Sequence, residues 1–481
     1  MSQDPYTTKT SEINMDDNMS TNKNVSLSRV VTALEPEQVQ VVDGVWGTLD
    51  ESAPNYRSLG WIRASVLMIK VQIGLGVLAI PAVLDTFGLI PAILIIFAVA
   101  AATTWADYVV GVFKQNHPEV YTLADVGYIM WGPIGREVFG AIYWIQLTAV
   151  AGAGLLSVSV ALNAMSGHAT CTIVFVVVAA IINILVSSIQ TLDRISWIGW
   201  IGLGGIMSSV ITLAIAVSVQ DRPSAAPATG DWSPDIVLVG NPAFPAAVGA
   251  LSNIIFSFAG APNFFNIVAE MKNPRDFNKA LISCQTFVTA AYLIIGCVVY
   301  HYCGQYIASP ALGSAGILMK KVCYGLALPG LVVGCVLNTH LPAKYIFVRL
   351  MRNSKHLSAN TIQHRVIWVS CVVLNCTISF VIAEGIPIFN DLIGLIGALF
   401  ATPNAIIFEC MMYIWDVHYC ADKYPSQRTW KQRSVQVFNV IVLLLSIFAM
   451  VAGTYAAAVT IRDDVASNAT SKPFSCDDNS G

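Results

Sequence analysis

Two stretches of this 481-residue chain carry glycine in the middle of apolar runs that would otherwise read as unbroken helix. One is Ile73, Gly74, Leu75 and Gly76, with Pro81 a turn later; the other is Ser257, Phe258, Ala259 and Gly260, followed by Pro262. Opening a helix at such points frees backbone groups. The N–H groups that begin the half-helix after Gly74 and Gly76 form the positive end of its dipole and suit a carboxylate. The carbonyls from Ser257 to Gly260 would accept hydrogen bonds from an ammonium. Together the two openings suit a zwitterion. Selectivity would then fall to nearby side chains, of which Gln72, Phe258, Tyr143, Gln146, Leu337 and Asn338 are candidates. Each of these also reads as ordinary packing, and glycine itself lets membrane helices approach closely.

The elements that hold these residues are membrane spans. Residues AVILMFWYC make up 55% of the chain and charged residues 11%, against roughly 25% charged in a soluble domain. A spanning helix needs about 20 mostly apolar residues, and the chain divides into about eleven such stretches. They run 61–85, 89–113, 134–165, 172–188, 195–219, 244–270, 281–303, 322–350, 366–383, 388–415 and 435–461, the first two parted only by a turn at Phe87 and Gly88. Backbone polar groups have no water partner in lipid, so a break is tolerated only where protein or a cavity receives them. A pair of interrupted segments in corresponding halves is therefore a pointer to a transporter's binding site. Spans one to five (58–219) and six to ten (244–416) are similar in length. Because five is odd, the second set must lie inverted relative to the first. The expected architecture is an all-α polytopic membrane protein, two inverted five-helix repeats plus one extra helix at 435–461.

Lys and Arg near span ends set the orientation, since cytoplasmic loops hold the excess. With the N-terminus inside, Arg57, Arg63, Lys114, Arg136, Arg194, Lys272, Arg275, Lys279, Lys344, Arg349, Arg352, Lys355, Arg365, Lys423, Arg428, Lys431 and Arg433 are cytoplasmic; only Arg222, Lys320, Lys321, Arg462 and Lys472 are outside. Residues 1–57 then form a disordered cytosolic tail, in which Lys9 and Lys23 are candidate ubiquitination sites. Segment 220–243 is an outer loop, 417–434 a cytosolic loop, and 462–481 an extracellular tail. Asn468 heads a glycosylation sequon in that tail, although Asn18, Asn24 and Asn375 match the same pattern in less suitable places. Cys171, Cys303, Cys323 and Cys476 fall at or near the outer, oxidising face. A Cys171–Cys476 disulfide is expected, free thiols being the alternative.

Ionisable residues inside spans are expensive and so are functional candidates. Lys70, four residues before Gly74, is expected to have a buried partner, with Asp107 in the second span and Glu270 at the end of the sixth as candidates; snorkelling is the bland alternative. His340 could titrate in a mildly acidic range or could simply pack. Sodium would need oxygen ligands, with Thr339 the available hydroxyl on the eighth span. Arg275, in the basic stretch 272–279, marks the topology and is a gate candidate, while Pro274 stops the sixth helix. The net charge of −3 and pI near 6.2 give no reason to expect a nucleic-acid partner. No metal-ligand cluster, phosphate-cradling loop or nucleophile elbow is legible, so neither a cofactor, a metal nor an enzyme is expected. A channel is disfavoured because the paired breaks suit alternating access.

The run 70–81 (KVQIGLGVLAIP), the pieces 117–120 (HPEV) and 124–127 (ADVG), and above all 264–280 (FFNIVAEMKNPRDFNKA) resemble the amino acid/auxin permease family, specifically its fungal neutral amino acid carriers. The resemblance runs from Leu59 to the tail around Cys476. It implies a LeuT-like fold of eleven helices and secondary active import of neutral amino acids across the plasma membrane, coupled to a proton rather than a sodium gradient. A sensor with little transport, a sodium-coupled carrier and a vacuolar carrier are the alternatives. One departure bears on coupling. Animal proton-coupled members carry histidine one turn before the first-span lysine, where this chain has Leu67. The apolar surroundings of the breaks, with Phe256, Phe258, Phe264 and Phe265 near the second, suit large neutral side chains.

Overall fold

The computed structural model describes residues 42–43, 47–48, 59–189, 192–227, 229–351, 361–419, 430–467 and 473–479. Lys9, Lys23 and the Asn468 sequon lie outside the described residues. Residues 1–53 separate from the rest as a unit of their own. Within them β1 (Val42–Asp43) pairs antiparallel with β2 (Gly47–Thr48).

Residues 54–481 form the second unit, built of α1 (Trp61–Gln72), α2 (Gly76–Phe87), α3 (Leu89–Asn116), α4 (Leu123–Ser166), α5 (Thr172–Ser187), α6 (Leu192–Val219), α7 (Phe244–Phe258), α8 (Ala261–Glu270), α9 (Phe277–Cys303), α10 (Ile317–Met351), α11 (Ile362–Gly385), α12 (Phe389–Ile396), α13 (Phe408–Tyr419) and α14 (Trp430–Ser467). Eight segments are long and apolar enough to cross a bilayer. Two bent pairs, α1 with α2 and α12 with α13, each count as one more, which gives up to ten among the described residues; α5 is apolar but only 16 residues long. Side chains such as Leu94, Leu185, Ile282, Leu374 and Leu445 are exposed. In water such a surface would be a liability; here it faces lipid. The protein is an integral, multi-pass membrane protein.

The first span is two helices bent by 58°, separated at Ile73, whose ψ of 95° leaves the helical region. The sixth opens at Ala259 (φ −78°, ψ 63°), between α7 and α8. Both breaks fall where glycine was expected to place them. Three spans carry detail beyond their apolar runs. The tenth span does not run straight through 388–415: π-helical turns at Gly397–Ala401 and Pro403–Ile407 separate α12 from α13, which are bent by 40°. Pro403 lacks the N–H that an α-helix would use, and its ring collides with the preceding turn. The third span starts where expected: a short helix from Leu123, behind a capping box from Thr122 and Asp125, is broken at Trp131 and Gly132, whose dihedrals are non-helical, and the spanning part of α4 follows from Pro133. The sixth helix ends at Glu270, before Pro274 can stop it.

Two clasps fix the broken spans. At the Lys/Arg-rich end, the backbone of Leu59 pairs with the end of α8: its N–H donates to Glu270 at 3.1 Å, and its carbonyl accepts from Lys272 at 2.9 Å. At the opposite end, the α2–α3 turn is pinned by the segment before α7, with Leu89 and Ile90 donating to Val237 and Leu238, and Gly240 donating to Phe87. Inside the bundle, α10 packs along both α4 and α6.

Candidate functional site

The two breaks are pressed against one another. A Cβ on Gly76 would stand 2.6 Å from the Cα of Ser257, and one on Gly260 would meet Phe264 at 2.6 Å and Gln72 at 2.9 Å. Glycine is required at position 76, where the neighbour is backbone, for the half-helices to come this close; at position 260 the neighbours are side chains. Gln72, buried at the end of α1, reaches across and donates from Nε2 to the Phe258 carbonyl at 3.1 Å, while its Oε1 accepts from the Cys284 thiol of α9 at 3.4 Å. The hydroxyl of Tyr292, also on α9, donates to the carbonyl of Ser257 at 2.8 Å and shares that bond with the carbonyl of Gln72 at 3.0 Å. Side chains of α9 thus tie both openings into one unit.

What the openings leave free is narrower than the sequence suggested. Among the described residues, no acceptor pairs with the backbone N–H of Gly74 or Leu75. Both residues are half-buried, and a Cβ on Gly74 would meet nothing within 4 Å. On the other side, Ser257 and Phe258 already accept from Tyr292 and Gln72, and the Gly260 carbonyl accepts from Asn263. The carbonyl of half-buried Ala259 has no partner among the described residues. One break therefore presents donors and the other a single acceptor, in an uncharged setting of Ile73, Phe258 and Tyr292.

Other candidates lie elsewhere or are already occupied. Gln146 is buried in α4 and accepts through Oε1 from Asn404 at 2.6 Å, which joins α4 to the π-helical turn of the tenth span. Tyr143 packs edge-on against Tyr345 of α10, with ring centroids 6.2 Å apart. Asn338 turns back to donate to Gly334 on its own helix, and Leu337 beside it is half-buried. Thr339 accepts from Asn183 of α5 at 2.8 Å, and His340 sets Nδ1 3.3 Å from the Ser187 carbonyl and its ring 4.9 Å from that of Trp368. Thr339 thus turns toward α5, and His340 toward α5 and α11.

The expected partnership of Lys70 is also corrected. Its ammonium lies against the backbone of Gly199 on α6, where a Cβ would collide with it. Asp107 instead accepts from Gln285 of α9 at 2.6 Å. Glu270 lies in the field of Lys344 on α10. Which face α1 turns toward α6 is a packing fact that spacing along the chain does not encode. Beside Glu270, burial and then the carboxylate's charge push the Tyr121 hydroxyl up to about 12, so it stays a neutral phenol. Arg275 is exposed on a short 3-10 turn, where its backbone N–H donates to Asn273. Cys171 and Cys476 are bonded to each other, and the tail beside them docks as Thr172 donates to Asp477 and Asn163 to Asn479. The sequence reading missed Tyr292, Cys284, Gln285 and Glu409. Glu409 alone carried a signal, as an acidic residue within an apolar span.

Two leading helices broken at matching places, in an all-α bundle of eight to ten apolar spans among the described residues, define a LeuT-like inverted-repeat transporter. The transmembrane amino acid transporter protein family matches residues 57–457, and the chain belongs to that family. It is 37% identical over 426 residues to a transmembrane transporter of Gibberella moniliformis, covering 89% of each chain. It is 28% identical over 453 residues to the N amino acid transport system protein of Neurospora crassa, covering 92% of this chain and 94% of that one. Among solved structures, it superposes on MHP1, a nucleobase-cation-symport-1 family transporter closed around bromovinylhydantoin, with a TM-score of 0.51 at 15% identity, covering 90% of this chain and 98% of that one. The fold is shared with that transporter. The family is one of transporters.

Proposed function

We propose that this protein imports neutral aliphatic and aromatic amino acids across the plasma membrane by proton symport and alternating access, with its N-terminus in the cytosol and its C-terminus outside. The observation that carries this reading is the pair of breaks held together by Gln72 and Tyr292. The N–H groups of Gly74 and Leu75 meet the α-carboxylate at a half-helix start, and the Ala259 carbonyl takes one N–H of the α-ammonium. With both charges met by backbone, the substrate side chain faces an apolar wall, which favours bulky uncharged residues. Buried Phe258, Phe264 and Phe265 supply it. The excess of Lys and Arg at the end where Lys272, Lys279 and Lys344 lie supports the orientation.

Uptake of radiolabelled tryptophan, leucine, arginine and glutamate in a transport-deficient yeast, with external pH and sodium varied, tests the reading. Tryptophan and leucine uptake that rises as the medium is acidified, with or without sodium, is expected. Dominant arginine uptake would refute the neutral assignment, sodium-stimulated and pH-indifferent uptake the proton, and absence of any uptake the transporter itself.

A further inference from the structure

We propose that Asp107 of α3 and Glu409 of α13 form a proton-binding site that is wired to the substrate breaks through α9. Asp107 is 1% exposed and Glu409 0%, and α3 packs directly against α13. Neither carboxylate has an ion-pair partner among the described residues. Both oxygens of Glu409 lack a hydrogen-bond partner from another residue, as does Oδ1 of Asp107.

The charge of Asp107 acts on Glu409; two such carboxylates in a medium of low dielectric, with no cation to offset them, cannot both be ionised, and the pair shares at least one proton. The groups around them supply no positive charge. Cys284 and Gln285 face them from α9, Cys410 and Tyr413 lie on α13 itself, and Tyr108 lies on α3. From α14, Asn439 contributes an amide that donates to the Cys410 carbonyl. The basic side chains further along α3 are engaged elsewhere: Lys114 donates to the carbonyls of Pro118 and Val120, and His117 contacts Asp416.

Gln285 supplies the independent sign that a proton belongs here. Its amide donates to Asp107, and its own carbonyl, buried with the residue at 4% exposure, has no partner. That oxygen is left free to accept from a neutral carboxyl. The next residue, Cys284, donates to Gln72, which donates to Phe258. A proton arriving from water converts one carboxylate to a neutral acid; its return to water on the other side restores the anion. Either event changes what Gln285 must bond, one peptide away from the thiol that touches the first break. Coupling of this site to transport rests on the proposed symport.

Infrared difference spectra of the purified full-length protein test the site without requiring transport. The expected result is a carbonyl band of a buried neutral carboxyl, present at neutral pH, shifted in heavy water, lost in Glu409→Gln and retained in Glu409→Asp, which also serves as the folding control. Spectra of Glu409→Gln and Asp107→Asn identical to the parent would overturn the proposal. In proteoliposomes, Glu409→Gln should lose accumulation driven by an acid exterior and keep exchange of internal for external substrate. Acid-driven accumulation by that variant would overturn the wiring. If the parent protein itself moves no amino acid, the transport reading fails, and the infrared band still decides the proton site.

Discussion

The hydroxyl of Tyr292 donates to the backbone carbonyl of Gln72 at 3.0 Å, across 220 positions of sequence. Gln72 is the last residue of the first half-helix, and the same hydroxyl also reaches Ser257 on the sixth span. One phenol from a helix that is itself unbroken therefore satisfies a carbonyl from each interrupted span.

Tyr292→Phe should leave those two buried carbonyls short of a donor. An unsatisfied buried group costs about 1–3 kcal/mol. A lower melting temperature in detergent and a raised KM for uptake are expected. Wild-type values for both would show that the hydroxyl is dispensable.

Gly76→Ala and Gly74→Ala separate close packing from substrate contact. At position 76 the new methyl would sit 2.6 Å from the Ser257 backbone, and overpacking of this kind costs about 1–3 kcal/mol. At position 74 it would meet nothing within 4 Å. The Gly76 variant should therefore show a lower melting temperature and little uptake. The Gly74 variant should melt normally but bind substrate more weakly, because its methyl occupies the space beside the free N–H groups. Weakened thermal stability in the Gly74 variant would contradict this division.

Thr339→Val should destabilise without altering ion dependence. Its hydroxyl accepts from Asn183, so the substitution strands a buried amide donor. Melting should fall, while the response of uptake to sodium should remain that of the parent. A changed sodium response would restore Thr339 as an ion ligand.

Lys70→Met and Gly199→Ala form a double-mutant cycle. The ammonium lies where an alanine methyl at 199 would go, so Gly199→Ala should impair uptake by displacing the lysine. In the Lys70→Met background the same change should cost measurably less. Contacting residues show interaction energies of about 0.5–3 kcal/mol; additive effects on uptake would mean that the two residues do not meet.

The breaks were legible because glycine and proline act locally: a chain that cannot hold its hydrogen-bond ladder at Gly74 or Ala259 opens wherever it is packed. The positions of the spans were legible for the same reason, since apolar length is a local property, although α5 is shorter than a full crossing. The partners of Lys70 and Thr339 were not, because they depend on how far each helix is rotated about its axis, and a misjudged face sends a side chain to a different neighbour. The π-helical turns around Pro403 had a local cause, but proline is common enough in membrane helices to pass for a simple kink. Tyr292 gave no sign at all. Tyrosine in an apolar span is unremarkable until a carbonyl from another helix is found at its hydroxyl.

The Cys171–Cys476 bond joins residues 305 positions apart. It converts residues 171–476 into one macrocycle, with the N-terminal region through α4 left as a long open arm and residues 477–481 as a short one. A protease that cuts any single connection within that ring linearises it but releases no fragment. On a denaturing gel such a nicked protein would keep its full mass until a reductant is added, so a protease map made without reduction would record the macrocycle as silent.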